Sequence, residues 1–528
     1  MNTIKNSIVQ GITCFVYSLF IALSIAFAQD ESPMRVHIQT FDIQGNTVIS
    51  TDRLEKILDD YIARHFPDAM LNFSDMQLLT DRITLTYKEQ GYFLARCYIP
   101  KQDIKDGVLK LMVAEGVLDK IQVTGNTYYS DNLLKGFFET SQPDFVINER
   151  HLEKGLLLVN DLPANNTELM LTKGEKKGSV DIVLKNKDRS AHQFQLSYNN
   201  YGAEVLGQNR YSLSGQITDP FGGMRLFLKG ISGDDPSELF VGYADLDIPI
   251  NYHGTHVAFS FIKSSSQLGQ ELEILSIEGQ TEMYGVNIRH PVVLRRDLKI
   301  NTHLGMHHAF SETTLLSTSE NPQSAGEFKL NSVTAGIDLD MVDHFFGRTS
   351  GQCTYQISFV DKGPKIQETN KALQKISVSG SRIQQIKQYS QLVFRMNGQW
   401  SSDDLIPMDQ ISIGGYDAVR GHQPVSCLGD LGYNLSLEWM FSPTSESQYF
   451  GKSLSQLVQG GIFFDTGWTR LNNAPEIGPQ TKSLTGYGLG LRFFYNNYFS
   501  CFTDLAFPVS PDENEDNAIF YFSVQGTY

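Results

Sequence analysis

"NSVTAGIDLDM", residues 331–341, sets Val333, Ala335, Ile337, Leu339 and Met341 against Ser332, Thr334, Gly336, Asp338 and Asp340. A period of two places the sets on opposite faces of an extended chain, so one face is apolar throughout and the other carries two carboxylates. A soluble β-fold would bury the apolar face in a core; a transmembrane barrel would turn it to lipid and the polar face to a wet lumen. The surrounding sequence favours the barrel. The alternation begins at "QFQLSYN" (193–199), where Phe194, Leu196 and Tyr198 oppose Gln193, Gln195, Ser197 and Asn199. It returns in "QLVFRMNGQW" (391–400), which sets Leu392, Phe394, Met396 and Trp400 against Gln391, Arg395, Asn397 and Gln399. It closes the chain in "IFYFSVQGTY" (519–528), with Phe520, Phe522, Val524 and Tyr528 on one parity. Backbone groups in lipid need internal partners, which demands a closed barrel. At roughly 20 residues per strand and loop, the last ~330 residues hold about 16 strands.

The start of the chain agrees with that destination. "MNTIKNSIVQGITCFVYSLFIALSIAFAQD" has an early lysine, an apolar run from Ile12 to Phe27, and Ala26-Phe27-Ala28 ahead of Gln29. This is the pattern of a signal peptide over 1–28, giving a mature chain from Gln29, with a membrane anchor as the alternative. Beyond it no stretch approaches the ~18 apolar residues of a membrane helix.

Composition narrows the function classes. The 528 residues carry 33 Phe, 23 Tyr and 44 Gly, 19% charged residues and a net charge of −16, a balance that argues against nucleic acid as a partner. Cys97, Cys353, Cys427 and Cys501 are widely spaced with no C-x-x-C pair, so neither zinc nor a dense disulfide framework is indicated. No Walker motif, metal cluster or nucleophile motif occurs, and His307, His308 and His344 show no catalytic spacing. No catalytic residue, metal or cofactor is therefore expected.

Between signal and barrel lies a repeat. "FDIQGNTVISTDRLEKIL" (41–58) aligns with "IQVTGNTYYSDNLLKGFF" (121–138), so that Gly45-Asn46-Thr47 recurs as Gly125-Asn126-Thr127. In each copy a strand enters a Gly-Asn turn and a helix follows a plausible N-cap. A second helix follows in "DMQLLTDRITLTYKEQGYF", with Leu78, Leu79, Ile83 and Tyr87 at helical spacing, and in "NERHLEKGLLLVNDLP". The strands "LARCYIP" and "GVLKLMVAEG" close the first copy, and "TELMLTK" and "SVDIVLKN" the second. The order β-α-α-β-β, twice, predicts two small α+β domains over 34–116 and 117–188, ahead of a barrel over 191–528.

Within the barrel region "GGYDAVRGHQP" (414–424) lacks the Lys-Ser/Thr ending of a phosphate loop, and no helical pattern follows it. In "VQGGIFFDTGW" (458–468), Val458, Ile462, Phe464 and Trp468 share the apolar parity, which turns Asp465 to the lumen. A carboxylate where water is restricted needs a partner, and an arginine on a glycine-flanked loop can reach it bidentately. The alternative leaves Arg420 as an exposed charge on a turn.

In its ordered motifs the chain resembles the two-partner secretion transporters (TpsB family, ShlB/FhaC/HecB type) over nearly its whole mature length. "GYFLARCYIPKQ" (91–102) and "LEKGLLLVNDLP" (152–163) are similar to signatures of the family's first and second POTRA domains. "NNYGAEVLGQNRYSLSGQITDPFG" resembles its opening barrel hairpin, and "GGYDAVRGHQPVSCLGDLGYNLSLEW" its most specific motif. That motif holds Gly414, Gly415, the tip Val419-Arg420-Gly421, then Gly429, Asp430 and the strand residue Glu438. "FFDTGW" (463–468), with Gly467, resembles the family's F-x-D-x-G strand. The resemblance implies a transmembrane barrel of about 16 antiparallel strands behind two periplasmic POTRA domains, in the outer membrane of a Gram-negative bacterium. It implies translocation of an unfolded haemolysin- or adhesin-like exoprotein, a tip folded back into the lumen, and pairing of Arg420 with Asp465. Partners would be the exoprotein, outer-membrane lipid and, during biogenesis, the barrel-assembly machinery.

POTRA sheet edges can accept an extended polypeptide, and the neighbouring helix groove with Leu152, Leu156 and Leu157 could add apolar contacts, although leucines at that spacing also suit a core. His422 departs from the family, which usually has an aromatic residue there. The few residues between Gln29 and the first strand near Val36 leave little room for the plug helix many members carry, and the chain ends in Tyr528 rather than the commoner Phe. A barrel-assembly factor of the same superfamily and a passive porin are the alternatives. Two copies with secretion-type signatures weigh against the first, and the presence of periplasmic domains against the second.

Overall fold

The computed structural model describes residues 35–141, 146–176, 178–188, 191–267, 277–315, 323–362, 372–444, 447–473, 479–511 and 516–528. The expected signal peptide and the segment that would hold a plug helix lie outside them. Among the described residues no helix is long and apolar enough to cross a membrane. The chain forms two units: the described residues up to Lys120 with those of Asp144–Arg150 and Leu171–Asp181, and those of Ile121–Pro143, His151–Met170 and Ile182–Tyr528.

In the first repeat the strand Val108–Ala114 lies between Thr40–Gln44, which it pairs in parallel, and the edge strand Arg96–Tyr98. Helices Thr51–His65 and Phe73–Glu89 supply Leu54, Leu58, Leu79, Ile83 and Tyr87 to a core closed by Leu109, Leu111 and Val113. Asn72 starts the second helix with a capping box, accepting from Asp75 N at 2.9 Å while Asp75 accepts from Asn72 N at 3.0 Å. Two details differ from the sequence reading. Leu78 is 45% exposed, because its neighbour Leu79 takes the core-facing position of that turn. An additional two-stranded ladder joins Val36–His37 to Met70–Leu71, strands too short to leave a periodic signal.

The second repeat has helices Asp131–Ser141 and Glu149–Asn160 and a sheet in which Ser179–Asn186 lies between Val117–Thr124 and Thr167–Lys173. The recurring Gly-Asn-Thr has one physical cause in both copies. Gly45 and Gly125 take φ of +82° and +80°, and a Cβ would strike the carbonyl oxygen of Val113 or Asn186. The turn then aims backbone N–H groups at a buried carboxylate. Glu115 accepts from Thr47 N (2.7 Å) and Val48 N (3.1 Å); Asp188 accepts from Thr127 N (2.6 Å), Tyr128 N (3.0 Å) and Tyr129 N (2.7 Å). Burial opposes the charge on Asp188, yet these donors hold its carboxyl below the usual range.

Sixteen of the remaining described strands close a barrel, each paired antiparallel with its neighbours, in agreement with the expected count. Leu304, Met306, Val333, Ile337, Trp439, Phe464 and Leu489 point outward and are exposed, forming the apolar surface that lipid requires. Asp338, Asp465 and Arg492 take the inward parity. The first and last barrel strands meet in a short seam, where Ile519–Thr527 pairs with Gln193–Asn199 from Ser523↔Asn199 to Thr527↔Gln195. The Asn200 side chain prolongs it, accepting from Phe522 N (2.7 Å) and donating to Phe520 O (2.8 Å).

Candidate functional site

Residues 401–430 leave the strand Ser390–Trp400 and rejoin the wall at Leu431–Phe441. Ile411–Ile413 pairs with Cys427–Gly429, and the chain beyond this ladder folds back among the strands. Gly421 has φ +94°, and a Cβ there would stand 2.9 Å from Pro508 N and 3.0 Å from Phe507 C. Only glycine lets the tip backbone approach the wall so closely. Gly414 and Gly415 make the corresponding turn at the tip's base, with φ of +95° and +87°. Val419 is fully buried against Ile413 and Leu484.

Arg420, 4% exposed, is held on three sides. Its Nε donates to Asp465 Oδ2 at 2.7 Å, Nη2 to Oδ1 at 3.0 Å, and Nη1 to Asp504 Oδ2 at 3.4 Å. Its backbone N also donates to Asp465 Oδ2, at 3.2 Å. The guanidinium carbon lies 3.4 Å from the ring centroid of Phe463, a cation–π stack in a site with little water. A second arginine completes the cluster: Arg492 donates to Asp504 Oδ1 (2.6 Å), Asp504 Oδ2 (3.1 Å) and Glu438 Oε1 (3.1 Å). Arg395 donates to the other Glu438 oxygen at 3.3 Å. Three carboxylates thus face three guanidinium groups. A set of this kind, buried apart from the half-exposed Arg395, is weak as a source of net stability, but removing one of its buried members strands another, so it is suited to fixing position.

The motif glycines and acids surround this cluster. Asp430 accepts from Leu405 N (2.8 Å), Gln410 Nε2 (3.0 Å) and Asn472 N (2.8 Å), tying both legs of the loop together. A Cβ on Gly429 would meet Thr469 and Arg470 N, and one on Gly467 would meet Val419 and Ile413. His422 is fully buried and donates from Nε2 to Thr485 O at 3.1 Å, where an aromatic ring would leave that carbonyl without this donor. Gly421 N donates to Tyr521 Oη at 3.2 Å, and Tyr416 stacks on Tyr201 with centroids 3.7 Å apart.

The sequence reading missed Arg492, Asp504 and Tyr521, and placed Phe463 in the F-x-D-x-G strand without its stack on Arg420. One signal was present. "TGYGLGLR" (485–492) places Gly486, Gly488 and Gly490 on the inward parity ahead of Arg492. A Cβ at Gly486 would overlap Arg420 O, and one at Gly488 would overlap the Phe463 ring. Glycines alternating along a strand mark a second backbone in close approach. In the second repeat, Leu152 is 6% exposed and packs in the core, whereas Leu156 and Leu157 are half-buried.

A family model described as haemolysin secretion/activation protein ShlB/FhaC/HecB matches residues 178–493, more than half of the chain. The chain belongs to this family. A POTRA domain of ShlB type matches residues 36–116. ShlB/FhaC/HecB relatives include the heme/hemopexin transporter protein HuxB of Haemophilus influenzae (strain 86-028NP), 23% identical over 91% of this chain and 84% of the relative. The outer membrane transporter CdiB of Escherichia coli is 22% identical over 88% of this chain and 78% of its own length. Among solved structures, CdiB from Escherichia coli superposes with a TM-score of 0.75 at 19% identity, over 95% of this chain and 92% of that one. BamA from Haemophilus ducreyi lacking POTRA domains 1–3 gives 0.55 at 13% identity, over 93% and 100%, a likeness of fold alone. This ShlB/FhaC/HecB-family chain is an outer-membrane barrel that secretes an exoprotein, with its POTRA domains in the periplasm.

Proposed function

We propose that this transporter passes a large, unfolded, haemolysin- or adhesin-like exoprotein through its lumen to the cell surface, without enzymatic chemistry. The reading assigns 34–116 and 117–188 to two POTRA domains and 191–528 to the barrel, behind a signal peptide ending at Ala28. The exoprotein meets the POTRA sheets first. Arg96–Tyr98 and Thr167–Lys173 are edge strands, and an added strand gains backbone hydrogen bonds with little dependence on cargo sequence. Leu156 and Leu157 offer apolar contacts beside one edge. Folding of the cargo outside the cell supplies the drive. Outer-membrane lipid surrounds the apolar belt, and the barrel-assembly machinery inserts the chain.

The observation that carries this reading is the loop tip seated on the Asp465–Asp504–Glu438 cluster, which occupies the lumen and must shift for a polypeptide to pass. Deleting residues 34–188 should leave a heat-modifiable barrel in the outer membrane while abolishing the appearance of its exoprotein in the medium. Normal secretion by that truncation would refute recognition by the POTRA domains. Loss of many unrelated barrel proteins on depletion of the full chain would instead point to barrel assembly.

A further inference from the structure

The inward face of the barrel is polar along most strands, but near the end that carries the loops it turns apolar. Met283, Ala309, Leu330, Val360 and Leu373 stand side by side across five consecutive strands, Met283 opposite Ala309, Ala309 opposite Leu330, and Leu330 opposite Val360. Leu405 and Ile406, at the root of the loop, cover this patch and are themselves 7% and 6% exposed. Asp409 follows on the same root. Its carboxylate accepts from Lys375 Nζ (2.9 Å), Gln356 Nε2 (3.0 Å) and Ser358 Oγ (3.2 Å), and its carbonyl from Lys375 Nζ and Gln399 Nε2 (both 2.9 Å). Asp430 and Asn472 grip the same stretch from the other side, Asn472 Nδ2 donating to Asp403 O at 2.7 Å.

We propose that the two parts of this loop act differently: residues 401–410 form a fixed post that stays on the wall during export, and residues 411–429 swing about it, with Lys375 and Asp409 as positioning residues. The proposal rests on the export reading above. Its physical basis is the contrast between the two attachments. The tip's apolar contact with the wall is small, Val419 against Leu484 and Tyr416 against Tyr201, and the rest of its hold is charges and hydrogen bonds, for which a wet lumen offers replacement partners. The post is held by apolar contact, and lifting it would expose Leu405, Ile406 and the five-strand patch to a wet lumen at once. Asp409 and Lys375, 9% and 14% exposed at their side chains, would each lose its partner in the same movement. The patch is then never offered to the cargo. Farther along the same wall the inward face turns polar, and a cavity of about 620 Å³ there is lined by Arg225, Asp247, His256, Arg289 and Asp338.

The test uses bacteria producing the full chain with Cys97, Cys353, Cys427 and Cys501 changed to Ser, carrying either Ile406→Cys or Val419→Cys. Both positions are buried, so the seated loop protects both. A membrane-impermeant maleimide is applied during active secretion, which is measured as the proteins that vanish from the medium when the gene is deleted. Val419→Cys should label at least ~10-fold faster than Ile406→Cys, because only the tip opens. Adding Lys375→Met, or Asp409→Asn in a parallel strain, should raise Ile406→Cys labelling and lower secretion at unchanged barrel abundance. Equal labelling of the two positions would mean that the whole loop leaves, and would overturn the proposal. Protection of both during secretion would overturn it as well, since the tip would then be static. If nothing vanishes from the medium on gene deletion, the export reading itself fails.

Discussion

Replacing Arg420 by alanine removes two short bonds to Asp465, a longer one to Asp504 and the stack on Phe463. Asp465, Asp504 and Glu438 are then left with two arginines among them. Replacing Asp465 leaves the reverse imbalance. Stranding a buried charge costs about 3 kcal/mol, which changes a seated-to-released ratio by more than ~100-fold and is enough to unseat a loop tip. Ladder hydrogen bonds hold the barrel independently, so barrel abundance should stay nearly constant while secretion falls strongly in both single variants. The double variant keeps Asp504 and Glu438 opposite Arg492 and Arg395, a balanced set. Its defect should be smaller than the combined single defects by a coupling of roughly 1–3 kcal/mol. The assay is exoprotein in the medium, normalised to heat-modifiable barrel in outer-membrane fractions. Single defects that simply multiply in the double variant would show that the two residues do not act together, and the positional reasoning would fall.

Gly486→Ala puts a methyl group onto Arg420 O and should reduce secretion with the barrel still assembled; wild-type export would show that the tip tolerates displacement there. Tyr528→Ser alters a side chain that is 89% exposed and should lower the amount of assembled barrel, read by heat-modifiability. Unchanged abundance would make the terminal aromatic dispensable. Asp188 has a folded pKa below its unfolded value of 3.8, so its contribution is fully present above that value and is lost as pH falls through the lowered folded pKa. Hydrogen exchange at Thr127–Tyr129 should therefore accelerate below about pH 4 in the wild type and lose that step in Asp188→Asn. An acid step unaffected by the substitution would assign the transition to other carboxylates.

The barrel was legible because lipid and a wet lumen impose opposite demands on alternate residues, and "NSVTAGIDLDM" meets both. The two α+β repeats were legible because one turn with one glycine requirement is used twice. The lumenal cluster was legible only in part. Asp465 is flanked by outward apolar residues that reveal its parity. Arg492 follows three inward glycines, which carry no polarity to read, and Asp504 is a lone acid in "FTDLAF" whose meaning depends on strands distant in sequence. The apolar seat of Leu405 and Ile406 was invisible for a related reason. Ala309, Leu330, Val360 and Leu373 contribute one residue each from four strands, and none breaks the alternation of its own strand enough to be noticed.

The Asn200-extended seam has a consequence for the order in which the molecule forms. Each barrel strand pairs with the barrel strand that follows it in the chain, so those hairpins can form from local segments in any order. The seam joins Asn200 to Phe522, 322 residues apart, and cannot begin to close until both ends are brought together. The entropy of closing a loop grows only logarithmically with its length, so this step is not forbidden, but as the one strand pairing of very high sequence separation among the described residues it belongs at the end of the reaction. Until then the first and last strands are unpaired edges, open to any extended segment that meets them. A side-chain amide that copies the backbone pattern lengthens the final ladder beyond its own strand, and shifts that last equilibrium toward the closed ring.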